Sequence, residues 1–203
     1  MDRRTRGPGA QHDQRRHDLA DAVLRIVAHR GLAAVSLNEV ATEAGVSSGR
    51  VQHYFANKET LIAAAFARGN ELSEARIAHR LGAAIDDVPP RFALTVLLTE
   101  LIPHDAETLA HLRVRQSFTA RALSDGAIAA GLRQQYARLH EAVAALLARS
   151  AGAAALRPHL DPDDAAIGLV ALTEGLAYYV LIEVRSAEAA RDHLLREIGA
   201  LYV

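Results

Sequence analysis

The polar side chains of residues 48–54 have the types and the spacing needed to bind the edges of DNA bases. Arginine pairs bidentately with guanine and glutamine with adenine, so Arg50 and Gln52 are the candidates for reading a base sequence. The imidazole of His53 suits a base or a backbone phosphate, and otherwise it is a solvated side chain. The remaining candidates for DNA contact in this stretch are Ser48, Gly49 and Tyr54.

A short helix must hold these side chains outward, and the apolar residues of the same stretch predict one. Val51 and Phe55 are four residues apart, so both turn inward on a helix and leave the polar residues on its free face. Ser47 or Ser48 caps the start, because a serine hydroxyl accepts a hydrogen bond from an amide of the first turn. Gly49 either leaves room for close approach of the DNA backbone or has no part in binding.

Another short helix is predicted immediately before this one. Ser36 is a good N-cap, and Glu39 is placed to return a bond to its amide, which makes a capping box. Gly45 is placed to end the helix in the left-handed conformation, and Val46 to pack into the turn. The apolar stripe consists of Leu37, Val40, Ala41 and Ala44. The pair predicts a helix-turn-helix fitted to the major groove, and the alternative is an ordinary helical hairpin in a bundle.

The stretch 36–58 resembles the DNA-binding domain of TetR-family transcriptional regulators. The family pattern has Thr or Ser before the first short helix, Ala-Gly-Val-Ser at the turn, and a pair ending in Phe before a Lys. This chain matches the pattern at Ser36, Val40, Ala41, Ala44, Gly45, Val46, Ser47, Gly49, Arg50, Val51, His53, Tyr54, Phe55 and Lys58. It departs at Gln52, where the family more often has Tyr. The resemblance is specific from about Leu19 to Phe66 and weakens beyond to overall architecture.

The resemblance implies contacts with the DNA backbone. Tyr54 and Lys58 look like phosphate contacts, with a half-buried ring as the alternative for Tyr54. Family members often use the position of Arg50 for phosphate as well, which competes with its role as a base reader. Ser36 and Asn38, at the start of the first short helix, are further candidate phosphate donors.

Composition favours an all-α protein of a reducing compartment. Of the 203 residues 50% are apolar, mostly Ala, with little Gly or Pro inside the periodic stretches. The absence of Cys excludes disulfides, thiolate metal sites and a cysteine nucleophile, and it suits the cytoplasm. The net charge is −1, but residues 1–60 carry nine Lys or Arg against seven Asp or Glu, which is compatible with a dimer that places two such faces on one duplex.

Three segments are expected along the chain. Residues 1–15 form a disordered basic tail, which is either solvated or an arm on DNA phosphate or the minor groove. Residues 16–66 form the three-helix, helix-turn-helix DNA-binding domain, whose first helix begins at Arg16. Residues 67–203 form a helical effector-binding and dimerisation bundle, which the fourth helix enters on its way to Leu81. The chain is expected to contain about nine helices.

Five helices are predicted in the bundle, at residues 91–101, 104–123, 127–149, 161–184 and 187–202. Asp161 followed by Pro162 starts the fourth of these as a cap and a first-turn proline. The stretch 165–182 within it has the length of a membrane span. Thr173 and Glu174 interrupt its centre, however, which favours a helix buried in protein and no membrane association.

The bundle is expected to dimerise and to bind a small molecule. The helices at 161–184 and 187–202 are expected to pair with their symmetry mates, because one helix in a small domain rarely hides an apolar surface on every side. The resemblance also implies dimerisation and a C-terminal effector site, and the segment around Tyr178 and Tyr179 resembles the choline–betaine repressor subfamily. The candidate effector contacts, each otherwise an ordinary surface or core residue, are His104, His111, Arg115, Phe118, Arg133, Tyr136, His140, Glu174 and Tyr178.

Together these expectations describe a dimeric, cytoplasmic repressor that leaves a near-palindromic double-stranded DNA operator when an effector binds. The alternatives are a ligand-independent activator and a DNA-organising protein. A helical-bundle metalloenzyme would need Glu-x-x-His pairs on facing helices, and the nearest approach is Glu107 with His111, at i, i+4 and only once. Because the chain also lacks nucleotide-binding, hydrolase and zinc-protease motifs, we expect no enzyme, no metal and no cofactor.

Overall fold

The computed structural model describes residues 8–152 and 156–203, and within these ranges it has nine α-helices and no β-strand. The helices are α1 (Pro8–Arg30), α2 (Leu37–Ala44), α3 (Ser48–Tyr54), α4 (Lys58–Leu81), α5 (Pro90–Glu100), α6 (Ala106–Arg121), α7 (Gly126–Gly152), α8 (Pro162–Leu181) and α9 (Ala187–Ala200). A single turn of 3-10 helix, Leu32–Ala34, follows α1. The prediction of an all-α chain with about nine helices is confirmed.

The chain divides into two compact units. Within the described ranges, the first contains residues 8–71 together with Ala106–Phe118, and the second contains Leu72–Asp105 together with residues 119–152 and 156–203. The sequence placed the whole of 67–203 in the C-terminal bundle, and the structure corrects this for residues 67–71 and for Ala106–Phe118, which belong to the first unit. Helices α4 and α6 each have residues in both units.

The core of the first unit is built from one apolar face each of α1 to α4. Residues three and four positions apart lie on one side of a helix. In α1 to α4 the buried apolar residues follow this spacing. The central residues are Val23, Ile26, Val27, Val40, Val51, Phe55 and Leu61. Burying an aliphatic side chain contributes about 1.5–3 kcal/mol. Helices as short as α2 and α3 are unstable alone, so this shared core holds them in place.

Helix α1 starts well before the position that the sequence suggests. Residues 8–15, expected as part of a disordered tail, form its first two turns, so that prediction is wrong for them. Residues 1–7 lie outside the described part of the chain. Polar pairs one turn apart support the added turns, since Gln14 Nε2 donates to Asp18 Oδ1 at 3.0 Å and Arg15 pairs with the same carboxylate at 3.6 Å.

In the second unit, α5, α7, α8 and α9 surround one apolar cluster. Its centre is fully buried and consists of Leu94 and Leu98 from α5, Leu147 from α7, and Leu194 and Ile198 from α9. One alanine from each of α5, α7, α8 and α9 also lies here: Ala93, Ala144, Ala166 and Ala190. The second unit therefore has a core of its own.

A buried carboxylate joins α4 to α5 within the second unit. The side chain of Glu100 is 1% exposed, and Arg76 Nε donates to it at 2.6 Å while Arg80 Nη1 lies 3.7 Å away. Ser73 Oγ donates to the same carboxylate at 3.4 Å. Removing one partner of a buried pair leaves an uncompensated charge, so this cluster ties the last turns of α4 to α5. The sequence did not reveal it, because Glu100 lies 20 to 27 positions from its partners on α4.

Helix α8 begins as predicted and ends earlier than predicted. The Asp161 carboxylate accepts hydrogen bonds from two amides of the first turn, at 2.8 and 3.3 Å. At the other end Glu183 has a φ of 60°, and the amide of Val184 closes back on the carbonyl of Tyr179 at 2.9 Å. No glycine lies at this helix end, which is why the sequence predicted that the helix continues to Val184.

By length and composition alone, α8 is the one helix in the described ranges that is long and apolar enough to cross a membrane. Within its most apolar window 33% of the residues are buried in the protein, and Thr173 is fully buried. Core helices pass the same test, so this finding is weak evidence for a membrane span.

Candidate nucleic-acid interface

The turn between α2 and α3 forms as the sequence predicts. Ser36 Oγ accepts a hydrogen bond from the amide of Glu39 at 3.2 Å, which caps α2. Gly45 has φ 64° and ψ 35°, the left-handed conformation that a residue with a side chain adopts at a cost. The amide of Val46 donates to the carbonyl of Ala41 at 2.9 Å and closes the turn.

Helix α3 is capped at its start and anchored along one side. Ser47, rather than Ser48, is the cap, and its hydroxyl accepts from the amide of Arg50 at 3.2 Å. Val51 is 0% exposed and Phe55, which follows the last helical residue, is 1% exposed. Both predicted anchors are therefore buried, and the opposite face of α3 is directed outward.

The predicted DNA-contacting residues lie around this outward face. Exposed are Ser36, Asn38, Gly49, Arg50, Gln52 and His53, and half-buried are Ser48, Tyr54 and Lys58. The ammonium of Lys58 donates to the carbonyl of Leu32 at 3.4 Å. Because an ammonium has three donors, this bond leaves capacity for a phosphate. The contacts with DNA themselves stay predictions.

Helix α1 contributes residues to this surface that the sequence reasoning did not include. The ring of Tyr54 lies 4.9 Å from that of His12 and 5.1 Å from that of His53, between centroids. Arg16 Nη1 donates to the Tyr54 carbonyl at 3.3 Å, and its guanidinium lies 4.8 Å from the centroid of the Phe55 ring. These contacts join residues some 40 positions apart, so no local pattern predicts them.

Two ion pairs attach α1 to α2. Arg25 Nε donates to Glu43 Oε1 at 2.8 Å, and this hydrogen bond holds the pKa of Glu43 below its ordinary value. Arg30 Nη1 lies 2.6 Å from Glu39 Oε2. The predicted capping box expected the Glu39 carboxylate at the amide of Ser36, and the structure corrects this, because a full cation within reach attracts a carboxylate more strongly than an amide.

A third ion pair attaches α1 to α4. Arg68 Nε donates to Asp21 Oδ1 at 2.8 Å, and Arg68 Nη1 donates to Glu71 Oε2 at 3.0 Å. The hydrogen bond to Asp21 raises the pKa of Arg68 above its ordinary value, so the guanidinium is charged at every accessible pH. Ion pairs thus attach α1 to both α2 and α4.

Three of the nine predicted effector contacts lie on the α6 segment of the first unit: His111, Arg115 and Phe118. The His111 ring packs so closely on Gly69 of α4 that a Cβ at this glycine would lie 2.6 Å from the ring Cγ. His111 Nε2 also lies 3.2 Å from Asn70 Oδ1. Phe118 stacks on Phe66, with 4.5 Å between ring centroids and 18° between planes. These side chains bind α6 to α4, which explains why the segment belongs to the first unit.

The other six predicted effector contacts lie in the second unit. His104, Arg133 and Tyr178 are exposed, whereas Tyr136, His140 and Glu174 are half-buried. The rings of Tyr136 and His140 lie one turn apart on α7, with 6.3 Å between centroids. The nine residues are thus divided between two compact units. Within the described ranges, no group of three or more His, Asp or Glu side chains could hold a metal ion.

Two family profiles match the chain. Residues 19–65 match the bacterial regulatory proteins of the tetR family, and residues 90–202 match the C-terminal domain of BetI-type transcriptional repressors. The first match covers the helix-turn-helix described above, and the second covers more than half of the chain.

Individual proteins agree with the profiles. The HTH-type transcriptional regulator PksA of Bacillus subtilis is 29% identical over 181 residues, which are 85% of this chain and 81% of the relative. A TetR-family transcriptional regulator from Rhodococcus sp. has a TM-score of 0.76 and 27% identity, over 93% of this chain and 98% of the other. A transcriptional regulator from Saccharomonospora viridis, solved in complex with choline, shares the fold at a TM-score of 0.81 and 22% identity, over 94% of this chain and 98% of the other.

Proposed function

Because the chain belongs to the TetR family of bacterial regulatory proteins and carries a BetI-type repressor domain, we propose that it is a dimeric repressor released from its operator by a small molecule. The families and relatives that it matches are transcriptional regulators and not enzymes. Because a bacterial DNA-binding regulator must reach the chromosome, we propose that it is a cytoplasmic protein.

One observation carries the DNA-binding part of the proposal. Helix α3 exposes Arg50, Gln52 and His53 while Val51 and Phe55 hold its other side in the core. A helix of this kind can enter the major groove and keep its side chains at a fixed depth. Polar groups that face bases need such a rigid support, because their hydrogen bonds discriminate only at good geometry.

An exposed apolar stripe on α8 supports a homodimer. Ile167, Tyr178 and Ile182 are 53%, 47% and 48% exposed, and their spacing puts them on one side of the helix. Ala171 and Gly175, also exposed, lie between them and leave room for a partner helix. In a two-fold dimer this stripe would meet its own copy, and the two α3 helices would meet a near-palindromic operator.

For the effector we propose a small molecule bound by the second unit, with choline as the first compound to test. The BetI-type match of residues 90–202 and the choline bound to the Saccharomonospora viridis regulator support this choice. Among the second-unit candidates, the carboxylate of Glu174 and the rings of Tyr136 and Tyr178 are the groups that attract a quaternary ammonium. His104, Arg133 and His140 remain candidates for polar contacts.

Helices α4 and α6 offer the route from effector to DNA, since each has residues in both units. We propose that the effector displaces the second-unit residues of one of these helices and thereby disturbs the packing of His111 on Gly69 in the first unit. A change from 1% to 99% released would require the effector to prefer the released state by about 5.5 kcal/mol.

A gel-shift titration tests the proposal as a whole. Purified protein is mixed with the duplex upstream of its own gene, with competitor DNA, and choline is added to the complex. We expect a discrete complex that resists competitor, contains two chains per duplex and dissociates with choline. A complex that no small molecule disturbs would favour the ligand-independent regulator, and smearing that disappears with salt would argue against specific binding to this duplex.

A further inference from the structure

A small depression lies between α1 and α3 in the first unit. Its volume is about 40 Å³, and its lining residues are Arg15, Asp18, Leu19, Ala44, Val46, Arg50 and Tyr54. Two arginines and one tyrosine thus line the same depression, Arg15 from α1 and Arg50 and Tyr54 from α3. The aliphatic side chains of Leu19 and Val46 supply an apolar lining.

The charges at this depression suit an anion better than a base edge. Arg15 and Arg50 each carry a permanent charge and donors in a fork that matches the oxygens of a phosphate. Asp18 opposes them, and it pairs with Arg15 at 3.6 Å. Both side chains of that pair are about half exposed, at 56% and 45%, and exposed pairs of this length are weak. A phosphate can therefore replace Asp18 as the partner of Arg15.

We propose that this depression binds one phosphate of the DNA backbone, held jointly by Arg15 and Arg50 with the Tyr54 hydroxyl as a third donor. The inference rests on the proposed function, since it requires α3 to lie in the major groove. It adds to that function a direct DNA contact from α1, a helix whose other described contacts are with neighbouring helices.

Two further contacts place Tyr54 for this role. Arg16 donates to its carbonyl at 3.3 Å, and that carbonyl belongs to the last residue of α3, where no amide of the same helix can reach it. The ring of His12 packs against the Tyr54 ring, with 4.9 Å between centroids. Arg16 and His12 are positioning residues, because they act through Tyr54.

The inference also changes the role of Arg50. The sequence favoured it as a base reader together with Gln52. A guanidinium held at a phosphate cannot pair with guanine at the same time, so base reading falls to Gln52 and His53. Substituting Arg50 should then weaken binding to all duplexes alike and leave the preferred sequence unchanged.

The test compares Arg15→Ala, Arg50→Ala and the double variant with Arg25→Ala as a control. Arg25 is another exposed arginine of α1 with a carboxylate partner, and it is not among the residues of the depression. Affinity is measured for the operator and for an unrelated duplex over a range of salt concentrations. Circular dichroism verifies that each variant is folded.

We expect either single variant to lose about threefold to tenfold in affinity, equally on both duplexes, and Arg25→Ala to resemble the wild type. Because both arginines neutralise one phosphate, the salt slope should fall by about 0.9 per protomer in the double variant and by less in each single one. Asp18→Asn should tighten binding, since it removes the opposing charge.

Three results would overturn the proposal. The first is an Arg15→Ala variant that does not differ from Arg25→Ala. The second is a slope change of about 0.9 per protomer in each single variant that adds in the double variant. The third is a changed preferred sequence for Arg50→Ala. In each of these cases the wild-type protein still binds its operator, so the proposed function stands. If the wild type binds no duplex specifically, the proposed function fails and this site with it.

Discussion

At the scale of single residues, the surface of α3 alternates between buried anchors and exposed polar groups. Val51 is completely buried, whereas its neighbours Arg50 and Gln52 are exposed. An amide side chain offers a donor and an acceptor together, which is the pattern that adenine presents in the major groove. Gln52 is therefore the side chain to which we assign base recognition, and it is also where this chain departs from the family pattern.

The variant Gln52→Ala should relax specificity at one base pair in each half of the operator. Loss of a bidentate pair removes about 1–3 kcal/mol of discrimination against the wrong base. Binding-site selection with the variant checks this, with Gln134→Ala, an exposed glutamine on α7, as the matched control. Unchanged preferences at every position would show that Gln52 does not read a base.

The pair of Arg25 with Glu43 should make stability depend on pH. A carboxyl whose folded-state pKa is lowered contributes stability at neutral pH, and this contribution is lost as the pH falls through that pKa. The melting temperature of the wild type should therefore exceed that of Glu43→Gln at neutral pH, and the difference should close as the pH falls through the folded-state pKa of Glu43. In the background of Arg25→Gln the difference should be small at all pH values. A difference that does not vary with pH would contradict the assignment.

At the scale of elements, local signals were sufficient for the helix-turn-helix and insufficient for its surroundings. The cap at Ser36, the glycine turn at Gly45 and the anchor at Val51 act within a few residues, so the sequence predicts them. The early start of α1 and the membership of Ala106–Phe118 in the first unit depend on long-range contacts. Such contacts leave no periodic pattern, which is why the tail and the domain boundary needed correction.

The packing of α6 on α4 predicts that the effect of Gly69→Ala on the free energy of unfolding reverses its sign when His111 is removed. Gly69 is buried in the interior of α4, where alanine would normally favour the helix by about 1 kcal/mol. The His111 ring occupies the space of the new Cβ, and such overpacking costs about 1–3 kcal/mol. Gly69→Ala should therefore lower the free energy of unfolding in the wild type and raise it in a His111→Ala background.

Denaturant unfolding measures this interaction directly when Gly69→Ala is compared with its parent in the wild type and again in the His111→Ala background. Gly131→Ala is the matched control, because Gly131 lies inside α7 with open space around its Cα, so this change should stabilise in either background. If Gly69→Ala stabilises the protein as Gly131→Ala does, His111 does not pack on Gly69 as described. This packing would then have no part in transmitting an effector signal.

At the scale of the whole molecule, the proposed dimer determines how two reading helices meet one duplex. The α8 stripe supports this arrangement, and its tyrosine, Tyr178, lies within the BetI-type match. The sequence predicts an interface on α8 because this helix is apolar nearly all round, and that interface stays a prediction. The effector site could not be predicted, because candidate side chains spread over α6, α7, α8 and the loop before α6 do not define a cavity.

The variant Ala171→Glu should disrupt the dimer, because it places a charge in the middle of the α8 stripe. Burying an unpaired carboxylate is costly, so the chain should sediment as a monomer. Its affinity for the operator should fall steeply, since one half-site supplies only half of the contacts. Ala137→Glu, at an exposed alanine of α7, is the matched control. A dimeric Ala171→Glu variant would mean that the interface lies elsewhere.

The most direct measurement is selection of binding sites from random duplex DNA by the purified wild-type protein. We predict a near-palindromic sequence whose half-sites are separated by about one helical turn, 10–10.5 bp, or a multiple of it, and which two chains bind together. Enrichment of no sequence, or of a single unsymmetrical half-site bound by one chain, would contradict a dimeric operator-binding repressor.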